Sequence, residues 1–200
     1  MNKKTHKNLI IQVIVLIVMG IIFISSVFGW FATGHKNHVV IFTTGNLEAE
    51  ATLYQADDPD FDGVFLDSDY QVKTSDILIE NVVSNQIYSF KLVVKNKGTL
   101  PGSLTINLKD ILFLDDNNNP NATFNQAFEL KYSNLNETTY THHELSFPTN
   151  NYEIALKNPL NTDEEVVLLF QIIVGKKLTN AHYGFKFSIS TIEVKLEQLS

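Results

Sequence analysis

The sequence of 200 residues contains no cysteine. This absence excludes disulfide bonds, thiolate metal sites and a cysteine nucleophile, so stability must come from packing and hydrogen bonds. The His-Glu-x-x-His, Gly-x-Ser-x-Gly, phosphate-loop and dinucleotide-binding motifs are also absent from the sequence. We therefore predict that the protein is not an enzyme and requires no cofactor, with calcium, considered below, as the one candidate ligand.

Basic residues are scarce as well, with 15 Lys and Arg against 22 Asp and Glu. Residues 1–34 carry three lysines and no acidic residue, so the net charge of −7 for the whole chain becomes −10 for residues 35–200. A surface this acidic repels nucleic acid and anionic lipid. We therefore exclude nucleic acid as a partner.

One long apolar run is present, and it lies at the N-terminus. Three lysines precede an almost unbroken apolar stretch over residues 9–32. Positive charge before an apolar segment directs the chain that follows across a membrane, so we expect residues 35–200 to be extracellular or at the cell surface. About 24 apolar residues can span a bilayer, whereas Ser25, Ser26 and Gly29 break the run, and either Val27–Gly29 or Ala32–Gly34 fits a signal peptidase, which requires small residues at the cut. Residues 1–34 are therefore either a cleaved signal peptide or a membrane anchor.

After residue 35, helical periodicity is lacking and alternation of apolar and polar residues dominates. In one such segment, the side chains expected to face inward are Leu47, Ala49, Ala51 and Leu53. In another, they are Tyr88, Phe90, Leu92 and Val94. Short alternating segments separated by turns rich in Asn, Asp, Gly and Pro are typical of sandwiches. The sequence predicts an all-β, two-sheet, jelly-roll-like β-sandwich over residues 35–200, preceded by the N-terminal signal or anchor helix.

Two segments depart from simple alternation. Within Glu165–Val174, Gln171 is the one polar residue after the first position, so this strand is either central or meets a partner chain. Near the C-terminus, the alternating apolar residues are odd-numbered up to Ile189 and even-numbered from Ile192 onward. We expect a bulge or bend near Thr191, with the closing strand crossing between the sheets.

Three blocks carry a family resemblance: Trp30–Thr33 (WFAT), Phe42–Glu48 (FTTGNLE) and Val94–Pro101 (VKNKGTLP). They resemble the TasA/camelysin family of exported bacterial proteins. The resemblance implies a leader removed by a dedicated signal peptidase and a jelly-roll subunit of biofilm-matrix fibres. It also implies that the N-terminal strand of one subunit completes the sheet of the next, with residues 35–44 as the donor. The partners would be further copies of the chain and other matrix or wall components.

The residues of the donor segment support the same idea without the family. The run Val39, Val40, Ile41 and Phe42 is contiguous, apolar and rich in β-branched side chains. Such a strand is unfavourable in water, and strand addition to another sheet satisfies both its backbone and its side chains. The alternative is that the strand pairs within its own domain.

A candidate calcium loop follows. Its ligands would be Asp58, Asp60, Asp62, the Val64 carbonyl and Asp69, at positions 1, 3, 5, 7 and 12, with Gly63 at the turn. An EF-hand is not expected, because Asp replaces the bidentate Glu, Pro59 stiffens position 2 and the flanks are strands. The loop is either a weak extracellular calcium site or a solvated acidic turn.

Histidines and tyrosines supply two further hypotheses. Some camelysin relatives are described as metalloendopeptidases, but the neighbours His142 and His143 would point to opposite faces of a strand and cannot easily share one zinc ion. The aromatic residues Tyr132, Tyr140, Tyr152 and Tyr183 either line a carbohydrate platform or pack in the core.

The main functional hypothesis is an extracellular structural subunit of biofilm-matrix or cell-surface fibres that assembles through its N-terminal strand. One alternative is a calcium-dependent surface binding module, anchored in the membrane through residues 9–32, that meets wall glycan or another surface protein. The third is a secreted metalloendopeptidase.

Overall fold

The computed structural model describes residues 39–43, 47–57, 62–148, 150–175, 178 and 182–199, with only the backbone described for Val40, Phe42 and Thr43. The chain divides into two units, Met1–Gly34 and His35–Ser200, and the described residues all belong to the second. The predicted signal or anchor segment therefore lies outside the described residues. Within them, no helix is long and apolar enough to cross a membrane.

Strands dominate the described residues, as the alternation predicts. They are β1 (Val39–Thr43), β2 (Ala49–Asp57), β3 (Gln71–Val72), β4 (Ile77–Glu80), β5 (Ile87–Asn96), β6 (Gly102–Leu114), β7 (Phe128–Ser133), β8 (Tyr140–Glu144), β9 (Asn150–Leu160), β10 (Glu165–Val174) and β11 (Lys186–Gln198). Two short 3₁₀-helices, Asp67–Asp69 and Phe124–Ala127, interrupt the connections.

The strands form two sheets that pack face to face. The first sheet has the order β9-β6-β11, and β4 and β1 lie end to end along the other edge of β11. The second sheet has the order β3-β2-β5-β10-β7-β8. From β4 onward the chain builds the facing four-strand sets β4-β11-β6-β9 and β5-β10-β7-β8, which is the strand order of a jelly roll. The predicted all-β jelly-roll sandwich is confirmed.

The core lies between the two inner faces and follows the period-2 pattern. Its largest fully buried side chains are Phe90, Phe124, Phe128, Phe147, Phe170, Phe187, Leu53, Leu92, Leu104, Ile106, Leu108 and Leu130. The rings of Phe128 and Phe187 stack with centroids 4.9 Å apart and join β7 of the second sheet to β11 of the first. This contact fixes the two sheets relative to each other beside the β7–β8 hairpin.

Strand β10 is central, which decides between the two predictions made for it. It pairs with β5 on one side and with β7 on the other. Its even-numbered residues from Val166 to Val174 are fully buried in the core, and Gln171 on the outer face is only 6% exposed. The apolar composition of β10 therefore reflects its central position in the sheet.

The predicted bend near Thr191 is confirmed, but the expected crossing between sheets is wrong. In β11 the residues that face the core are odd-numbered up to Ile189 and even-numbered from Ile192. The opposite change occurs in the paired part of β6, beside Asp110, whose φ is +54°. Because both strands bend together, β11 stays paired with β6 along its whole length. What changes at the bend is the neighbour on the other side of β11, from β4 to β1.

Candidate functional site

The predicted assembly strand forms β1, at the edge of the first sheet. Its residues pair with β11 in register from Val39 opposite Ile192 to Thr43 opposite Leu196. This ladder is parallel, whereas every other ladder among the described strands is antiparallel. In the structure of one chain, the strand thus pairs within its own domain, and donation to a second copy stays a prediction.

Side chains of β1 contribute to the core where they are described. Val39 is 1% exposed, and Ile41 is half-buried against the core cluster. The side chains of Val40 and Phe42 lie outside the description. Burying a valine stabilises a fold by about 1.5–3 kcal/mol relative to leaving it in water. Pairing with β11 therefore places the described side chains of β1 against the core.

Among the described strands, the edge strands β9, β8 and β3 each have a feature that hinders pairing with a further strand. Strand β9 has three register shifts, a proline at position 159 and charged side chains. Strand β8 is five residues long with exposed His142 and His143, and β3 has only two residues. Irregular, charged or very short edges resist pairing with other chains. The edge at β1 has neither a charge nor a proline.

The β11 residues beside β1 include one buried acid that the sequence analysis missed. Glu193 is 8% exposed and lies opposite Val40 in the ladder. Its Oε1 accepts a hydrogen bond from Lys109 Nζ at 2.6 Å, and its Oε2 accepts one from Asn107 Nδ2 at 2.9 Å. Two donors on β6 thus satisfy the carboxylate on the outer face of the acceptor strand. Only cross-strand register could have revealed this cluster.

The candidate calcium loop is described in part. Asp58 and Asp60 lie outside the described residues. Asp62 Oδ1 accepts a hydrogen bond from the Val64 backbone N–H at 2.9 Å, and Asp69 Oδ2 accepts one from the Leu66 N–H at 2.7 Å. These two carboxylates hold the backbone of their own loop.

No group of three or more acidic or histidine side chains in the described part of the chain could hold a metal ion. Since two of the five predicted ligands lie outside that part, calcium binding stays a prediction. The far end of the loop is tied to the second sheet, because Asp67 Oδ1 lies 3.1 Å from Lys91 Nζ and the Tyr70 hydroxyl lies 2.8 Å from Ser89 Oγ.

The two neighbouring histidines of β8 contact different residues, as their spacing predicts. The ring of His142 stacks on Tyr132 with centroids 4.4 Å apart, and its Nε2 lies 3.0 Å from Asn134 Oδ1. His143 Nε2 lies 2.7 Å from Glu129 Oε2. Each imidazole has its own polar partner, and the two do not converge on one point.

The four tyrosines considered for a carbohydrate platform do not share one surface. Tyr132 and Tyr152 meet edge to face at 6.3 Å, and the Tyr152 hydroxyl donates to Glu144 Oε1 at 2.7 Å. Tyr140 lies on the other face of the second sheet, where its hydroxyl is 3.3 Å from Ser89 Oγ. Tyr183 is 86% exposed. Of the four tyrosines, Tyr132 lines a surface cleft.

The turn within the family-like block Val94–Pro101 has a structural role. Asn96 is fully buried, and its Nδ2 donates to the carbonyl oxygens of Leu100 at 2.9 Å and Leu160 at 3.2 Å. Its Oδ1 accepts from the Gly98 N–H at 2.9 Å. One side chain thus fastens the β5–β6 turn to the end of β9.

No family model, curated protein or solved structure matches this chain.

Proposed function

We propose that this protein is an exported structural subunit of biofilm-matrix or cell-surface fibres, in which β1 of one copy pairs with β11 of the next. The observation that supports it is the pairing of β1, a parallel strand with a single neighbour at a sheet edge that has neither a charge nor a proline. The leader sequence supports export, and the resemblance to the TasA/camelysin family supports a role in the matrix.

The connectivity of β1 makes exchange between copies favourable. Its partner β11 is at the opposite end of the chain, so no hairpin turn holds the two strands together. The next strand along the chain, β2, belongs to the other sheet. A strand from a second copy would make the same five register pairs and bury the same Val39 side chain. Exchange therefore preserves the contacts and alters only which chain supplies them.

The test compares residues 35–200 with residues 45–200 by negative-stain electron microscopy, at low and at millimolar calcium. We expect fibres from the longer chain only. Fibres from both chains would contradict strand donation, and monodisperse particles of the longer chain under every condition would favour the anchored binding module instead.

A peptide of residues 35–44 supplies the matching control for a chain that lacks β1. We expect this peptide to raise the melting temperature of residues 45–200, because it fills the edge of β11. A scrambled peptide of the same composition should leave the melting temperature unchanged. Equal effects from both peptides would argue against a sequence-specific acceptor.

A further inference from the structure

A cleft of about 380 Å³ lies at the edge of the sandwich opposite β1. One wall is the β9 segment 153–157, and the other is formed by residues 132–136 together with His142. Small-molecule sites occupy roughly 300–1,000 Å³ and combine apolar surface with a few polar groups. The cleft is large enough for a sugar ring, and its chemistry decides which ligand fits.

Three polar side chains in the cleft have hydrogen-bonding capacity to spare. The side chain of Glu153 is exposed, and its carboxylate has no hydrogen-bond or ion-pair partner among the described residues. Asn136 uses its Oδ1 to accept from the Val167 N–H at 2.8 Å, so its amide donors remain for a ligand. Lys157 Nζ contacts Glu164 Oε1 at 3.2 Å and keeps further N–H donors. The cleft thus offers one strong acceptor beside several donors.

Apolar surface lies beside these groups and is held in place. The ring of His142 is parallel to that of Tyr132 within 8°, and the hydrogen-bond contact with Asn134 fixes its orientation. Leu156 on the opposite wall is 60% exposed. A pyranose ring has apolar C–H faces and a rim of hydroxyl groups that both donate and accept. The fixed ring, the leucine and the mixed polar groups match that pattern.

Other ligand classes fit less well. A peptide would add as a strand to β9, but three register shifts and Pro159 interrupt that edge. An anion would meet the carboxylate of Glu153, and a cation would meet the ammonium group of Lys157. We propose that the cleft binds a neutral pyranose unit of a polysaccharide. This proposal does not depend on fibre formation through β1.

The test is co-sedimentation of the full-length chain with insoluble chitin and with insoluble cellulose, each against a blank without polysaccharide. We expect the pelleted fraction to exceed the blank with at least one of them. Glu153→Ala should weaken binding at least tenfold, because it removes a charged acceptor of hydrogen bonds from the ligand hydroxyl groups. Leu156→Ala should weaken it about threefold to tenfold.

Two matched controls separate the cleft from general surface effects. Glu48→Ala removes an exposed acid just before β2, near the other edge of the second sheet. Leu112→Ala removes a leucine of the first sheet that is 44% exposed. Both variants should bind as the unchanged chain does. Sedimentation equal to the blank with both polysaccharides would overturn the proposal, and so would unchanged binding by Glu153→Ala.

Discussion

Lys109 Nζ lies 2.6 Å from Glu193 Oε1 across the β6–β11 ladder, and it neutralises the one buried carboxylate among the described residues. Removing one partner of a buried ion pair costs about 3–5 kcal/mol, because the other charge remains in a site shielded from water. The Lys109 side chain is 32% exposed, so water replaces part of the lost interaction.

We therefore expect Lys109→Met to lower the free energy of unfolding by about 1–3 kcal/mol in urea titrations followed by circular dichroism. The double variant Lys109→Met with Glu193→Leu should recover most of the loss, because no unpaired charge then remains. As a control, Lys97→Met breaks the exposed pair with Glu50, away from Glu193, and should leave the unfolding midpoint nearly unchanged. Equal losses from Lys109→Met and the control would show that the buried pair has no special role.

Gly102 is expected to tolerate no side chain. A Cβ there would lie 2.7 Å from Leu196 Cδ1 and 2.9 Å from the Glu197 carbonyl oxygen. Overpacking of this kind costs about 1–3 kcal/mol, so Gly102→Ala should lower the melting temperature measurably. Gly175→Ala, whose Cβ would have no neighbour closer than 3.4 Å, should change stability by less than about 0.5 kcal/mol. A Gly102→Ala variant as stable as the unchanged chain would contradict the close packing at the end of β11.

Stability should decline at high pH because two half-buried phenols, those of Tyr88 and Tyr140, ionise less readily in the folded state. Burial raises the pKa of Tyr140 to about 12, and burial followed by repulsion from Asp57 raises the pKa of Tyr88 to about 12. Both values lie above the unfolded value of about 10, so the neutral phenols stabilise the fold fully below pH 10. This contribution is lost as pH rises from about 10 to about 12.

The measurement is the urea midpoint between pH 8 and pH 12. Tyr140→Phe cannot titrate and should show a shallower decline, whereas the exposed Tyr183→Phe should follow the unchanged chain. If Tyr140→Phe declines as steeply as the unchanged chain, the burial of this phenol does not govern the alkaline limit.

The acidic loop can be tested for calcium directly. If a site over Asp58–Asp69 binds with a Kd of about 1 mM, then about 10 mM calcium should stabilise the fold by about 1.4 kcal/mol. Asp60→Asn should remove that gain, and Asp116→Asn, in the turn between β6 and the second 3₁₀-helix, should leave it intact. A melting temperature that is the same with calcium and with a chelator would mean that the loop is a solvated turn.

The pattern of single strands could be predicted well from the sequence. The alternation over β5 and the apolar run over β10 predict these strands nearly residue for residue, because inward and outward positions follow from local composition. The change of parity near Thr191 was visible for the same reason. These features are properties of one segment at a time.

The features that depend on pairing could not be predicted. Strand β9 shows no clean alternation, because its three register shifts move residues from one face to the other. The turn at Asn96 was recognisable, but its burial depends on the carbonyl group of Leu160, which is 64 residues away. The cleft between β9 and the end of β7 likewise combines residues that only the jelly-roll order brings together.

The parallel pairing of β1 with β11 has a consequence for any assembly that uses it. The donated strand and the edge that receives it are different surfaces, so each joint links unlike parts of two identical copies. A filament built in this way has a direction, with an unfilled β11 edge at one end and an undonated β1 at the other. New subunits then add differently at the two ends, because one end offers the β11 edge and the other offers the β1 strand.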